Sequence, residues 1–589
     1  MEEAPTTNED PLSTTITTMP TIPGDLDNDN TDTPVKLVQK LRLFFTNHWR
    51  GLIATLLPII LLPIVVPPPT EKYQWVGYTL VIMAVYWMTE IIPLPITSFI
   101  PVFVFPVTGV MSTAETVTCY FNESVFMFIG SLMLAAAVEQ SGLHKRLALY
   151  AIQLIGYSHY KLLFAMCFVT MFISLWITNT AATTMMVPII FALLKVFEDQ
   201  NLLTIYDTTD DGSKVASSMT TCYFCAATFS ATIGGIGTLV GTVTNLAFKG
   251  LLEKYYPDAP DYLSFPKYSA FALPYTFCME IALYVCLILM SFGFLRPKSE
   301  AAKRAKISPE GILAAKMAVQ EDVKNLGKIT YWEINVILLF GTCMIMFFCR
   351  SPQIFPGWAD RIIKYFNIKD LKFIKDSACA MFFCFLMLLL PSSMGIFDNF
   401  TKPVDDLPTQ KQGSVLNFTP MDAVLPYSFS FLLGGGFALS TAAKKEYSDL
   451  NGKIGEALIG LQNFPNNLII LIIIIITVII TNFASNVAVC NVLVPIAMTL
   501  AQKIKAHPLL YCVTAGVSAS FCFLLPVGTP GNLIVQSAAN IPTSKMIVTG
   551  AAPTVVIIFI TWFFLIVYAP VIWSDINAKE IPDWAKPKP

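Results

Sequence analysis

Charge is in short supply in this chain. Of its 589 residues, 13% are Asp, Glu, Lys or Arg, and the formal net charge is −2. A typical soluble domain carries roughly 25% charged residues, so this one is not built to face water on all sides. A near-neutral balance also offers no basic face to a nucleic acid, and no such partner is expected. Histidine is scarcer still, at four residues. His48, His144, His159 and His507 all lie in loops or at the ends of apolar runs, with no Ser/His/Asp set and no metal-ligand spacing around them. That argues against an enzyme, hydrolytic or metal-dependent, and no cofactor or resident metal is expected. The 13 cysteines include one Cys-x-x-Cys, Cys222 and Cys225, in an apolar stretch without further ligands, so they read as small core residues. Gly234, Gly235, Gly237 and Gly241 do not form a G-x-G-x-x-G after a strand, which removes a dinucleotide loop. Residues 1–48 lack the apolar stretch of a secretory signal and are rich in Thr, Asp, Pro and Asn, which predicts a disordered cytosolic tail.

Hydrocarbon fills the rest. The chain is 54% hydrophobic with a mean hydropathy of +0.61. Gly51 to Val66, Trp75 to Met88, Phe271 to Leu295, Val336 to Cys349, Ala378 to Leu390, Leu468 to Ile480 and Val555 to Tyr568 have the composition of helical spans. A span needs about 20 mainly apolar residues. Several of these runs are shorter, which fits re-entrant hairpins or helices inside a bundle. The expected class is an all-α polytopic membrane protein. Lys36, Lys40, Arg42 and Arg50 flank the first span, and Arg296, Lys298, Lys303, Arg304 and Lys306 open a basic loop over 296–331. The positive-inside rule places both in the cytoplasm, with about six crossings between them. Asn122 and Asn417 match a glycosylation pattern, but the first abuts a span and the second falls in a loop read as internal.

The chain then says one thing twice. Trp176-Ile-Thr-Asn-Thr-Ala-Ala-Thr-Thr-Met-Met-Val-Pro188 is echoed by Thr481-Asn-Phe-Ala-Ser-Asn-Val-Ala-Val-Cys-Asn-Val-Leu-Val-Pro495, with Asn179 and Asn486 set 307 positions apart, as are Pro188 and Pro495. Downstream, Gly241-Thr-Val-Thr-Asn245 is answered by Gly528-Thr-Pro-Gly-Asn532, and upstream Gly130 by Gly435. Interrupted apolar segments at matching places in two halves mark a transporter whose site lies at the repeat interface. The chemistry supports that reading. An open backbone group in hydrocarbon costs several kcal/mol, so irregular polar segments at membrane depth persist where they line a cavity. Helix N-termini opened by Asn, Ser and Thr present free N–H groups and a positive dipole end to a carboxylate, while opposed carbonyls suit a cation. Small polar residues also serve as helix packing glue, which would account for either motif alone. It does not account for the duplicated spacing.

Three ionisable residues fall within apolar runs and are candidates for function. Glu90 sits where two runs meet at prolines and reads as orienting a bend. Glu280 is isolated, and it pairs or stays protonated. Lys249, about one turn beyond Asn245, either snorkels to an interface or supplies positive charge near the site, and snorkelling is the simpler reading.

Together with Trp87-Met-Thr-Glu90, Leu143-His-Lys-Arg-Leu147, Phe431-Leu-Leu-Gly-Gly-Gly436 and Leu525-Pro-Val-Gly-Thr529, the paired motifs resemble the divalent anion:sodium symporters, solute carrier family 13, and within them the insect-type Indy citrate transporters. The resemblance covers nearly all of the chain after residue 40. It implies a homodimer with about 11 transmembrane helices per protomer, in two inverted repeats with re-entrant hairpins and broken helices, divided into scaffold and transport domain. The first span and first repeat would occupy 49–295, with a tip at 178–180 and a broken helix at 234–245. The second would occupy 332–573, with a tip at 485–487 and a broken helix at 526–532, before an extracellular tail at 574–589. Substrate contacts carried over from the family are Thr178, Asn179, Thr180, Ser485, Asn486, Val487 and Thr529. Its cation shells map to Ser174, Thr178, Asn179 and Gly241, and to Thr481, Ala484, Asn486 and Gly528. Thr178 stands where the family has Ser, and Gly528 where it has Ala. Asn482 replaces a Glu found in sodium-coupled members, and Lys249 is a charge that could substitute for an ion, which argues against Na⁺ as the coupling ion. The resemblance therefore implies a plasma-membrane carrier of citrate, succinate and related carboxylates, working by an elevator-type alternating-access motion as a cation-independent electroneutral exchanger. A Na⁺-coupled symporter is the alternative, with a sulfate transporter or an anion channel behind it.

Overall fold

The computed structural model describes residues 34–66, 70–200, 203–208, 212–292, 309–352, 354–370, 372–395, 411–457, 463–577 and 581–586, with positions 400, 403, 407 and 460 between them. The tail expected over 1–48 falls outside these up to residue 33. From Pro34 it is helical, α1 running Pro34–Leu61. The disordered reading is thus corrected for 34–48, where Leu41, Leu43, Phe44 and Phe45 give enough apolar residues to extend the helix.

The remaining chain is helical, apart from one two-stranded antiparallel sheet among the described residues. In the first half come α2 (Lys72–Thr89), α3 (Ile100–Val107), α4 (Glu123–Gln140) and α5 (Leu143–Ile155). A helical hairpin follows, α6 (His159–Ser174) and α7 (Asn179–Asp199), then the strands β1 (Tyr206–Thr208) and β2 (Lys214–Ala216). Next are α8 (Ser218–Ile236), α9 (Val243–Tyr255) and α10 (Phe265–Ser291). The second half has α11 (Pro309–Asn325), α12 (Tyr331–Phe348), α13 (Asp376–Leu389) and α14 (Ser428–Ala442). Its own hairpin is α15 (Asn466–Thr481) and α16 (Asn486–Lys503), followed by α17 (Pro508–Ser518), α18 (Pro530–Ala539) and α19 (Thr543–Phe563). Seven helices of the described residues are long and apolar enough to cross a membrane, and six shorter apolar ones accompany them.

The duplication reaches the ends of the elements. Both α6 and α15 end five residues before the Asn that is paired across the halves, and α7 and α16 both begin on it. The two halves then interleave. α8 packs on α6, α7 and α10 of its own half and on α18 of the other, while α9 packs on α14, α16 and α17. Among the side-chain bonds that cross, Thr228 Oγ1 donates to Asn532 Oδ1 at 2.9 Å. The strands join in as well, with Ala216 N donating to Asn540 O at 3.1 Å and Lys545 Nζ to Ala216 O at 2.6 Å.

Two loop expectations change. The basic segment expected as a loop over 296–331 is described from residue 309, where α11 forms and packs on α5 and α7. Its C-terminal end is fastened by Arg146, which donates to Gly327 O at 2.8 Å and to Glu333 Oε1 at 2.6 Å. The C-terminal segment expected as a tail over 574–589 docks onto the bundle where it is described. Ala585 is buried, Gln502 Nε2 donates to its carbonyl at 3.1 Å, and the Trp584 ring packs against Tyr256, Tyr262 and His507.

Candidate functional site

Each half builds a polar knot from a hairpin tip and a helix break. In the first, Ser174 Oγ meets Asn179 Oδ1 at 3.0 Å and the carbonyl of Ala231 at 2.6 Å. In the second, Thr481 Oγ1 meets the Asn486 carboxamide at 2.9 Å and the carbonyl of Ala519 at 2.5 Å. Thus a hydroxyl ending one hairpin helix ties the Asn that starts the next to a backbone carbonyl of the broken helix. Gly235 makes this approach feasible, because a side-chain carbon there would overlap Asn179 Oδ1.

The breaks are held alike. Residues 237–242 separate α8 from α9, and residues 519–529 separate α17 from α18. A broken helix leaves carbonyls without intrahelical donors. Asn245 Nδ2 donates to Gly235 O at 2.9 Å and Thr238 O at 2.7 Å. Asn532 Nδ2 donates to Cys522 O at 2.9 Å and Leu525 O at 3.0 Å, the same positions displaced by 287 residues. Thr242 and Thr529, the residues preceding α9 and α18, are both extended, at φ −145° and −146°.

These knots bring four helix starts into one region. Gly531, in the first turn of α18, sits against Thr183 in the first turn or so of α7, since a carbon on Gly531 would lie 3.1 Å from Thr183 Oγ1. The reciprocal pair is Cys490 of α16, whose Sγ lies 3.9 Å from the carbonyl of Thr244 in α9. With Asn179 against Gly235 and Asn486 against Gly528, the N-termini of α7, α9, α16 and α18 converge. Four positive dipole ends and their N–H groups are an arrangement that favours an anion without a charged side chain. Thr178, Asn179, Thr180, Ser485 and Asn486 are partly exposed there amid buried neighbours, whereas Val487 and Thr529 are buried. Thr178 Oγ1 accepts from Ala181 N at 3.3 Å, while Ser485 makes no side-chain cap.

Of the residues assigned to cation shells, Ser174 and Asn179 meet directly, and Gly241 abuts Gly235 O. In the second half Thr481, Asn486 and Gly528 come together, and Ala484 is buried next to the tip in sequence. The Asn486 carboxamide faces Thr481 Oγ1, Ala519 O and Gly528 O. With its nitrogen toward them it donates at 2.9, 3.2 and 3.3 Å, so an amide closes this oxygen cluster by itself.

Asn482 has a defined structural task. Its Nδ2 donates to Val478 O at 2.7 Å and Phe521 O at 3.4 Å, and its Oδ1 accepts from Leu524 N at 2.9 Å. A carboxylate could accept from Leu524 but could not donate to either carbonyl.

Lys249 does not snorkel. It is 4% exposed, and its Nζ lies 3.3 Å from Asp376 Oδ2 and 3.9 Å from Glu253 Oε1. Arg350 binds the other oxygen of Asp376 at 2.6 Å and Asp261 at 2.6 Å, and Lys375 binds Glu253 at 2.8 Å. An ammonium so paired is an internal counter-ion for α13 rather than a spare charge. Nothing local in sequence could reveal this, since Asp376 is 127 residues away. Glu90 ends α2 in the left-handed region at φ 48° and is exposed. The carbonyls of Ala231 and Ala519 were not foreseeable either, because a backbone group leaves no trace in residue type.

Residues 46–574 match the family model described as the sodium:sulfate symporter transmembrane region. The protein "I'm not dead yet" of Drosophila melanogaster is 35% identical over 92% of each chain. The Na(+)/citrate cotransporter of Rattus norvegicus is 30% identical over 90% of this chain and 95% of its own, and the Na(+)/dicarboxylate cotransporter 3 of Mus musculus is 29% identical over 91% and 94%.

Proposed function

The chain belongs to the sodium:sulfate symporter family of membrane transporters and is not an enzyme, and from that premise we propose that it carries citrate, succinate and related carboxylates across the plasma membrane. The observation that carries this reading is the convergence of four helix N-termini, held by two copies of one hydroxyl–Asn–carbonyl knot. Substrate carboxylates lie between the tips, accepting from the N–H groups after Thr178 and Ser485 and from the side chains of Asn179 and Thr180, while Asn486 fixes the second tip. Thr529 and Val487 line the second side.

The two hairpins and two broken helices move as a transport domain against a scaffold of α2, α3, α4, α12, α13 and α14. The protein works as a homodimer, with a cytoplasmic N-terminus and an extracellular C-terminus. Exchange is cation-independent and electroneutral. Two features support that choice over Na⁺ coupling: the Asn486 amide can close its own oxygen cluster, and the Asn482 carboxamide holds a helix break where a carboxylate could not.

The test is uptake of labelled citrate and succinate into proteoliposomes with choline in place of Na⁺, with and without internal citrate. Sustained uptake stimulated by internal citrate is expected, and Asn179→Ala and Asn486→Ala should each abolish it. Uptake that collapses without Na⁺ overturns the cation-independent mechanism in favour of a sodium symporter. Full uptake in both variants overturns the site.

A further inference from the structure

The connection between α12 and α13 wears its large apolar residues on the outside. α12 is long and apolar enough to cross a membrane and α13 is one of the shorter apolar helices, so a segment that leaves one at Phe348 and enters the other at Asp376 stays near one bilayer surface. The segment is closed at its base. Arg350 Nε meets Asp376 Oδ1 at 2.6 Å, Arg350 also donates to Ile374 O at 3.0 Å, and Lys372 Nζ donates at 3.0 Å to Pro257 O in the loop after α9. Within it lies a short helix, Trp358–Tyr365, at whose start the Asp360 carboxylate accepts from Gly357 N at 2.8 Å. Only glycine fits at 357, because a side-chain carbon there would overlap the Arg350 carbonyl. The helix stops at Asn367, left-handed at φ 53°, where Asn367 N donates to Lys364 O at 3.2 Å and Ile368 N to Ile363 O at 3.0 Å, the paired bonds of a Schellman cap. Capped at both ends on a closed base, this is a rigid projection.

Its two faces differ. Ala359 and Ile363, one turn apart, are buried, and Trp358 Nε1 donates inward to Met346 O at 2.8 Å. Ile362, Tyr365 and Phe366 share another face by their spacing and are exposed, Tyr365 by 81% and Phe366 by 67%. The last two rings meet edge to face at 5.1 Å. Ile354, Phe355 and Phe373 are exposed in the flanking chain. Arg361 and Lys364 run along one edge of the helix, with Lys369 beyond its end. Unlike Arg350 and Lys375 at the base, these three form no ion pair among the described residues, and all are exposed. An exposed apolar patch of this kind marks an interaction surface. Lysine is depleted from the buried centre of protein interfaces. Aromatic rings bordered by cations are instead what the boundary between lipid headgroups and acyl chains takes up, and the ends of α12 and α13 hold the patch at that boundary.

We propose that this projection is a bilayer-surface anchor, in which Tyr365 and Phe366 enter the headgroup boundary while Arg361, Lys364 and Lys369 bind phospholipid phosphates. It concerns how the chain is seated in the membrane and stands apart from the choice of substrate. Because the projection is rigid and closes on Arg350 and Asp376, holding it at the surface also fixes the depth of the ion cluster at its base.

The test places a photoreactive side chain on the patch, as Tyr365→p-benzoylphenylalanine or Phe366→p-benzoylphenylalanine in the full chain. Each is reconstituted in liposomes of radiolabelled phosphatidylcholine and phosphatidylglycerol in equal parts. The same substitution at Phe563, exposed on the membrane-crossing helix α19, and at Lys214, exposed on β2, gives the reference yields. Light should attach labelled lipid at 365 and 366 with a yield near that at 563 and several-fold above that at 214. An adduct of doubled mass, joining a second copy of the chain, overturns the proposal in favour of a subunit interface. No adduct at either position while 563 is labelled overturns it in favour of a patch facing water. Adding Arg361→Glu and Lys364→Glu to the Phe366 variant should lower the lipid yield several-fold, and an unchanged yield overturns the phosphate contacts. If both photoreactive variants fail to fold, hydroxyl-radical oxidation of the unsubstituted chain in the same liposomes decides. Tyr365 oxidised several-fold less than the exposed Tyr206 of β1 supports the anchor, and equal oxidation overturns it.

Discussion

Gly528 and Cys522 show how single atoms decide the second knot. A methyl group on Gly528 would overlap Cys522 Sγ and lie 2.6 Å from Thr481 O. The matching pair in the first half is Gly241 and Gly235, so the thiol has taken the room that a side chain at 528 would need. Gly528→Ala should therefore cost about 1–3 kcal/mol through overpacking, and Cys522→Gly in the same chain should recover the part due to the thiol while leaving the close approach to Thr481 O. A thermal melt in detergent reads both, and an unaltered melting temperature in the single variant would contradict the packing argument. At this scale the sequence was legible where the chemistry is carried by side-chain type, as at Asn179 and Asn486. It was misleading at Lys249, whose lone position in an apolar run hid a partner from a distant helix.

Hairpins and breaks were readable because the duplication fixed them, the offset of 307 residues through the tips dropping to 287 through the breaks. The connection that carries β1 and β2, residues 200–217 against 504–507 in the second half, supplies most of that difference, and the strands had no signal of their own. What holds each break open was also hidden, since the Asn residues were visible but their carbonyl partners were not. Asn532 donates to Cys522 O and Leu525 O while accepting from Thr228 of the other half. Asn532→Asp keeps the size and the acceptor but loses both donations, orphaning carbonyls at about 1–3 kcal/mol each. It should lower the melting temperature as much as Asn532→Ala and abolish citrate uptake. A variant with near-native transport would show that the break holds itself.

Across the whole molecule, the densest electrostatics join α9, α13 and the loops beyond α9 and α12. Burial raises the acidity threshold of Asp261, but Lys249 and Arg350 outweigh it and hold its carboxyl below the usual carboxylate range. A carboxyl depressed on folding stabilises the fold above its unfolded value of about 3.9 and loses that contribution as pH falls through the folded value. The melting temperature should thus drop below about pH 4, and Asp261→Asn should flatten that part of the profile. Arg350→Ala leaves Asp376, which is 1% exposed, with Lys249 alone and its Oδ1 without a partner, and should cost about 1–3 kcal/mol at neutral pH. An unchanged acid profile in Asp261→Asn would place the sensitivity elsewhere.

The interleaving of the halves has a consequence for the chain as a covalent object. Thr228 with Asn532, Thr183 with Gly531, Thr244 with Cys490, and β2 with Asn540 all span the central connection rather than lie to one side of it. Neither half has its own finished surface, so each serves as the template on which the other closes. Continuity of the backbone between residues 292 and 309 is therefore not what keeps the machine in one piece. Two fragments meeting in the same bilayer would carry the instructions to reassemble it.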